Sequence, residues 1–250
     1  MAPPPRRTLH ARAGTTDRVR NHHNPRLPLV DSRRADRIHR NSLPTTTPRP
    51  HHRDIRSLVR RIRPRLGAMD VRYVEYAPGE LPAVLKAQVL SFLRIVWPEG
   101  FTGELRYRDW ITNPSYEPHH LLYVAGDLVV SHLEIVHVDL PHQGTTYKLA
   151  APTSVLTFPS FRGEGWAGRL VESACRRIEA SNADLGLICC DPHNQPFYAK
   201  TSGWPTAPEA TVVADGFPTG QAVLMRLLTP KAQHHQADFR HSPIHLKDEL

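Results

Sequence analysis

Hydrophobic patterning divides this chain into two regimes. Up to residue 68 the apolar side chains stand singly, as at Leu27, Val30 and Ile38, with no recurring interval. Beyond that point, periods of two and of 3.6 residues take over. Val71-Arg72-Tyr73-Val74-Glu75-Tyr76 reads as a first strand. Leu81, Val84, Leu85, Val89, Phe92 and Val96 follow helical spacing, and Pro98 ends that helix because it lacks a donor N–H. Residues 98–118 hold Pro98, Gly100, Gly103, Pro114 and Pro118 and read as a loop-rich insertion. His120–Val124, the turn Gly126-Asp127 and Leu128–Val138 then form a hairpin. A third strand runs from Thr145 to Phe158. Pro152 inside it removes a ladder donor, so a bulge or an edge is expected there.

In the second half, Trp166, Leu170, Val171, Ala174 and Ile178 describe an amphipathic helix beginning near Gly163. Residues 184–190 are a short apolar run, expected to be a buried strand. Phe197–Thr201 suggests a short helix, and Ala210–Val213 and Ala222–Leu228 are read as the final strands. Residues 230–250, with Gln233-His234-His235-Gln236, are expected to form a polar, frayed tail. No internal repeat is evident. Strands and helices mixed around a central strand–helix–strand unit predict an α/β domain.

Charge changes the picture once it is divided. The formal net charge of +8 and pI of 9.7 suggest a basic protein with a nucleic-acid or membrane-surface partner. Residues 1–68 carry 17 Arg, no Lys and 4 acidic residues, a net of +13, while residues 69–250 carry 15 basic and 20 acidic residues, a net of −5. The domain is therefore acidic and only its leader is basic. That leader has 9 Pro, 6 His and no aromatic residue, so it cannot bury enough surface to offset ordering entropy and is expected to be disordered. The first reading is that the leader carries no function; its composition is also that of translated upstream GC-rich sequence, in which case Met69 would be the true start. A basic nucleic-acid-binding arm is the second reading, weakened by the lack of residues to stack on bases. An organelle transit peptide is the third, weakened by only three Ser. The expected organisation is leader 1–68, domain 69–229 and tail 230–250.

Cys175, Cys189 and Cys190 form no CxxC or CxxH pattern, so neither a disulfide framework nor a structural zinc site is expected, and no metal is assigned. The N-terminus lacks the apolar stretch of a secretory signal, and no run approaches the roughly 20 apolar residues that span a bilayer. The last four residues, Lys247-Asp248-Glu249-Leu250, spell an endoplasmic-reticulum retrieval signal, here read as chance. A soluble, cytoplasmic protein with no membrane partner is the expectation.

One segment carries chemistry more sharply than the rest. Leu156-Thr157-Phe158-Pro159 ends a strand, Arg162-Gly163-Glu164-Gly165-Trp166-Ala167 turns, and a helix follows at once. Free N–H groups at a helix start, glycines that let an anion approach the backbone, and an adjacent Arg together suit a phosphate. The same turn could serve as a plain connection with no ligand. There is no Gly-Lys-Ser/Thr, which excludes a Walker-type NTPase. Gly163, Gly165 and Gly168 match the dinucleotide spacing, but no acidic residue follows at the usual distance.

This turn resembles the acetyl-coenzyme A loop of the GCN5-related N-acetyltransferase (GNAT) superfamily. Phe197-Tyr198-Ala199-Lys200 with Gly203-Trp204 is similar to that family's Phe-Tyr-x-Lys-x-Gly-Phe segment. The resemblance covers about 71–228, and within the superfamily it is nearest the aminoglycoside 2′-N-acetyltransferase branch. It implies a single GNAT-like α/β domain with a mixed, mostly antiparallel central sheet flanked by helices. It implies acetyl-coenzyme A as co-substrate and a primary amine, of a small molecule, as acceptor. The backbone of Leu156, Thr157 and Phe158 would pair with the pantetheine arm, and the N–H groups of Arg162, Gly163, Glu164, Gly165, Trp166 and Ala167 would hold the pyrophosphate. The thioester would lie where the strands ending at Phe158 and spanning 185–190 splay apart. Tyr198 takes the position of the family's general acid.

For the base, His132 and Glu134 share one face of a mainly apolar strand, and Glu134 is the candidate. Three departures stand out. Thr153 stands where the antibiotic-modifying branch carries a carboxylate, Asp191-Pro192-His193-Asn194-Gln195-Pro196 replaces the usual Asn-x-x-Ala, and one extra residue separates Tyr198 from Gly203. Acceptor specificity is expected from residues 97–119, where Glu99, Glu104, Asp109, Trp110 and Glu117 suit a cationic amine. The competing class is a catalytically silent acyl-coenzyme A sensor or interaction module.

Overall fold

The computed structural model describes residues 70–248 and residue 250, all of which belong to one compact unit. The expectations for residues 1–68 and for Met69 as start lie outside the described residues. Six strands form one sheet in the order β1-β2-β3-β4-β5-β8. They are β1 (Val71–Tyr76), β2 (His119–Ala125), β3 (Leu128–His142), β4 (Thr145–Thr157), β5 (Leu185–Cys190) and β8 (Ala222–Leu227). Every neighbouring pair is antiparallel except β4–β5. The mixed, mostly antiparallel sheet flanked by helices is the α/β architecture that the sequence predicts.

Helix α1 (Ala83–Val96) buries Leu85, Val89, Phe92 and Leu93 against Leu122, Val124 and Val129 on one face of the sheet. Helix α2 (Trp166–Glu179) buries Leu170, Val171, Ala174 and Ile178 against Leu121, Leu133 and Ile135 on the other. Each helix shows the i, i+3/i+4, i+7/i+8 stripe that places one apolar face on a sheet. Helix α3 (Gln195–Ser202) follows β5, and Gly203 closes it in the left-handed conformation. The loop-rich 98–118 stretch contains three single 3-10 turns, Pro98–Phe101, Gly103–Tyr107 and Pro114–Tyr116.

The expectation for β4 is met in part, and that for the terminal segment is corrected. Pro152 pairs with Ile135 on one side and has no β5 partner on the other among the described residues, so the expected edge is there, whereas the bulge falls beyond it. His132 pairs with Leu156 and Glu134 with Thr153, so one residue of β3 faces two of β4, and Ser154 takes φ 51°. The terminal segment is not frayed. Helices α4 (Pro230–His234) and α5 (Gln236–His241) lead to strand β9 (Ile244–Leu246). β9 pairs in parallel with β6 (Val212–Ala214), whose other edge carries β7 (Phe217–Pro218). Ala232, Phe239, Ile244 and Leu246 are buried among Tyr147, Leu149 and Met225. Burying Phe239 alone is worth about 2–3 kcal/mol, and its few apolar neighbours along the chain hid this.

Asp184 locks that terminal segment to the sheet. Its carboxylate accepts from Lys148 N at 2.9 Å, Thr229 Oγ1 at 2.8 Å and Lys231 Nζ at 2.9 Å. Burial works to raise the Asp184 pKa, but the Lys148 N–H, Lys231 and Thr229 outweigh it and hold the carboxyl below its ordinary value of 3.8. Asp184→Ala is expected to cost about 2–3 kcal/mol, since it leaves the part-buried Lys148 N–H without its acceptor as well as removing charge-assisted bonds. Because the folded pKa is depressed, the contribution is complete above about pH 4 and fades as pH falls through the folded value. Urea melts of both proteins at pH 7 and pH 3 check this: the difference between them should shrink in acid.

Candidate active site

The site starts where β4 and β5 part. Only Leu149↔Leu185 and Ala150↔Gly186 pair across these parallel strands. From Ala151 onward β4 has no strand neighbour on that side among the described residues. Three residues were expected to offer backbone to the pantetheine arm, and part of that backbone is already engaged. Leu156 C=O accepts from Ser131 Oγ at 2.8 Å and Thr157 C=O from Arg162 Nε at 3.1 Å. Phe158 N–H donates to Val130 C=O at 3.0 Å, and its own carbonyl accepts from Phe161 N–H at 2.9 Å. The unpaired edge therefore begins upstream, at Ala151.

After β4, a single 3-10 turn (Pro159–Phe161) leads to the glycine-rich connection. Gly163 and Gly165 adopt φ 86° and 82°, and a Cβ on either would meet nothing within 4 Å. The glycines serve the left-handed backbone and leave open space above it. Gly165 is the N-cap of α2 and provides no side-chain cap, so the first N–H groups of α2 point outward at the positive end of its dipole. Glu164 accepts from Trp166 Nε1 at 3.0 Å, and the Trp166 ring packs on Tyr123 with centroids 4.9 Å apart. Ala167 follows in the first turn of α2. The Arg162 guanidinium is turned toward β4 and the Phe92 ring, 5.8 Å from its centroid. This open, uncapped cradle fits a pyrophosphate.

Tyr198 stands in α3, half-buried beside Cys190 at the end of β5. Burial, with the Cys190 thiol adding, pushes its pKa from 10 up to about 12. The phenol thus keeps its proton at any physiological pH. The segment replacing Asn-x-x-Ala forms a turn in which Asp191 accepts from His193 N–H at 3.1 Å and also contacts His193 Nδ1. Both side chains are exposed there.

Glu134 and His132 share the α1 face of β3, as their spacing requires, and both are 0% exposed. The register puts His120 of β2 directly opposite Glu134. His120 Nδ1 is 3.3 Å from Glu134 Oε1 and 3.3 Å from His132 Nε2. Trp110 Nε1 donates to Oε1 and Thr112 Oγ1 to Oε2, so both carboxylate oxygens are occupied. His132 Nδ1 lies 3.3 Å from the carbonyl of Ser154, the bulge residue. Burial lowers the His132 pKa to about 4. For Glu134, burial opposes ionisation, but His120, His132 and Thr112 outweigh it and hold the carboxyl below its ordinary value. His120 and Thr112 were missed in the sequence. The available signal was His119-His120 in a strand, where period two sends His120 to the Glu134 face and His119 to the other.

The loop residues expected to select the acceptor divide. Trp110 and Thr112 reach the buried cluster, Asp109 pairs with Lys86 at 2.7 Å on the surface, and Glu99, Glu104 and Glu117 are exposed. Among the described residues no helix is long and apolar enough to cross a membrane.

Residues 73–206, just over half the chain, match the family model described as the acetyltransferase (GNAT) domain. The chain belongs to the GNAT acetyltransferase family. This makes it an acyltransferase by descent, of a family that uses acetyl-coenzyme A and acylates amines. No curated protein sequence matches it. Among solved structures it is similar to the GNAT family N-acetyltransferase YhbS from Escherichia coli, a complex with CoA. That match has 15% identity and a TM-score of 0.48, over 70% of this chain and 90% of that one. Escherichia coli ElaA matches with 17% identity and a TM-score of 0.45, over 62% of this chain and 99% of its own. A conserved protein from Enterococcus faecalis V583 matches with 14% identity and a TM-score of 0.44, over 56% of this chain. Here the GNAT chain spans only 33% of the Enterococcus protein's length.

Proposed function

We propose that this GNAT protein is an acetyl-coenzyme A-dependent N-acetyltransferase that acylates the primary amine of a small, cationic molecule in the cytoplasm. The observation that carries the reading is the parting of β4 and β5 after Ala150↔Gly186, beside an uncapped helix start lined by Gly163 and Gly165. The parting supplies a slot with bare backbone on one wall, and the helix start supplies donors for a pyrophosphate at its end. Residues 69–229 carry every element of this site, and the negative charge of residues 69–250 favours a cationic acceptor.

An alkylammonium, with a pKa near 10, must lose a proton before its nitrogen can attack a thioester. We assign proton uptake to Glu134 and protonation of the departing thiolate to Tyr198. The donors on Glu134 keep it ionised, and burial keeps Tyr198 protonated. Trp110 and Thr112 bring the 97–119 loop onto Glu134, which links acceptor recognition to the base. The likeness to the aminoglycoside 2′-N-acetyltransferase branch rests on Gly126, His132, the Arg162 turn and Gly203-Trp204. Thr153 lacks the carboxylate of that branch, yet it pairs with Glu134 across the sheet. We read this as the same charge supplied from the neighbouring strand, for an amine other than an aminoglycoside.

Calorimetric titration of the full chain with acetyl-coenzyme A tests the cradle. Saturable binding is expected, and Gly165→Glu should weaken it about 100-fold or more. The substitution combines about 1–2 kcal/mol of left-handed strain with a carboxylate set against phosphate. A folded protein that binds no acetyl-coenzyme A would overturn the assignment. Binding without turnover on a broad panel of amines would favour the silent sensor instead.

A further inference from the structure

Two lone pairs converge in the core on a single proton, carried by His120. The Ser154 carbonyl can only accept, so His132 Nδ1 carries the hydrogen that faces it and His132 Nε2 presents a lone pair. That lone pair faces His120 Nδ1 at 3.3 Å, and Glu134 Oε1 lies 3.3 Å from the same nitrogen. One N–H of His120 is thus shared between two acceptors. All three donor atoms lie within 4.8 Å of one another, and all three residues are buried.

These distances have a second meaning. A metal with bonds of about 2.0–2.1 Å and tetrahedral angles sets neighbouring donors about 3.3–3.4 Å apart, whereas octahedral angles set them about 3.0 Å apart. The two edges that meet at His120 Nδ1, both 3.3 Å, have the length a tetrahedral ion sets between its donors, and the third pair of atoms lies within 4.8 Å. The surroundings are those of a held ligand set. Ser154 fixes the His132 tautomer, and Trp110 and Thr112 orient the carboxylate. The Trp110 ring stands edge-on to both imidazoles, at 5.3 and 5.9 Å, and closes the cluster from the loop side.

We propose that His120, His132 and Glu134 bind one zinc-class divalent cation in place of the shared proton. Two imidazole nitrogens and one carboxylate oxygen are the donor set of such ions, and the cation would neutralise a carboxylate that is 0% exposed. Glu134 cannot hold a cation and accept an amine proton through the same oxygen, so the metal-filled protein is an inhibited transferase. That consequence rests on the acid–base reading above, whereas the binding itself does not.

Cobalt(II), added to chelator-treated full-length protein, is the probe. The expected result is one equivalent of tetrahedral cobalt per chain, seen as intense visible d–d bands and displaced by zinc. His120→Gln and Glu134→Gln, checked for folding by circular dichroism, should abolish the bands. Thr112→Val, which removes only a donor to Glu134, should weaken binding about 10–100-fold. A wild-type protein without tetrahedral bands would overturn the proposal whether or not the variants fold. So would bands that persist in folded His120→Gln and Glu134→Gln, since the metal would then sit on other histidines. Cobalt or zinc binding with unchanged acetyl transfer would leave the metal site standing and remove Glu134 from proton uptake.

Discussion

Tyr198→Phe should lower kcat about 100-fold or more, the ordinary contribution of a placed general acid, with the Kd for acetyl-coenzyme A unchanged. The variant removes one hydroxyl and keeps the ring that packs on Phe197 at a 5.0 Å centroid distance and beside Cys190. Binding and folding therefore have no reason to move. Since the phenol titrates at about 12, it should produce no alkaline fall in kcat between pH 7 and pH 10. Steady-state rates over that range, with calorimetry on the same samples, separate the two possible roles. If kcat survives in Tyr198→Phe, the residue is only a packed tyrosine and the thiolate leaves without its help.

The second large effect concerns a glycine under the site. A Cβ on Gly186 would lie 2.3 Å from Trp204 Cη2 and 2.8 Å from two further ring atoms. The indole cannot retreat easily. It is 2% exposed, its Nε1 donates to Glu179 Oε1 at 2.8 Å, and its backbone N–H donates to Ser202 Oγ at 3.0 Å. Gly186→Ala is therefore expected to cost about 3 kcal/mol, at the upper end of overpacking in a close-packed core. Thermal melting should fall by about 6–12 °C at roughly 2–4 °C per kcal/mol. Gly186 is also the last residue of β5 paired with β4, so weakened acetyl-coenzyme A binding should accompany the loss. A double-mutant cycle with Trp204→Leu checks the cause, because the smaller side chain should recover much of the stability. Strict additivity of the two changes would show that the strain lies elsewhere.

The sequence made much of this protein legible. Boundaries of β1, α1 and β5 follow from spacing, because a 3.6- or two-residue period must place one face on a core. The turn from Arg162 to Ala167 was readable for a similar reason. Two positive-φ glycines ahead of an amphipathic helix make a local structure that depends on few distant contacts. Pro152 pointed to an irregular β4, although the extra residue sits at Ser154. The terminal segment was misread because its buried residues, Ala232, Phe239, Ile244 and Leu246, are sparse among polar ones. Such residues acquire a partner only when β6 and the far end of the sheet are already in place.

What the chain determined by itself is its set of local elements, the glycine turn from Arg162 to Ala167 and the placing of His132 with Glu134 on one strand face. Each depends on residues within a few positions of one another, where backbone geometry and side-chain periodicity act directly. The tertiary structure alone decided that His120 faces Glu134, that β4 leaves β5 after one pair of contacts beyond Leu149↔Leu185, and that Trp204 fills the space over Gly186. Those meetings are set by strand register and by the packing of α2 and α3 on the sheet. Register and packing are properties of the whole core, because a one-residue slip of β2 would turn His120 to the opposite face from Glu134.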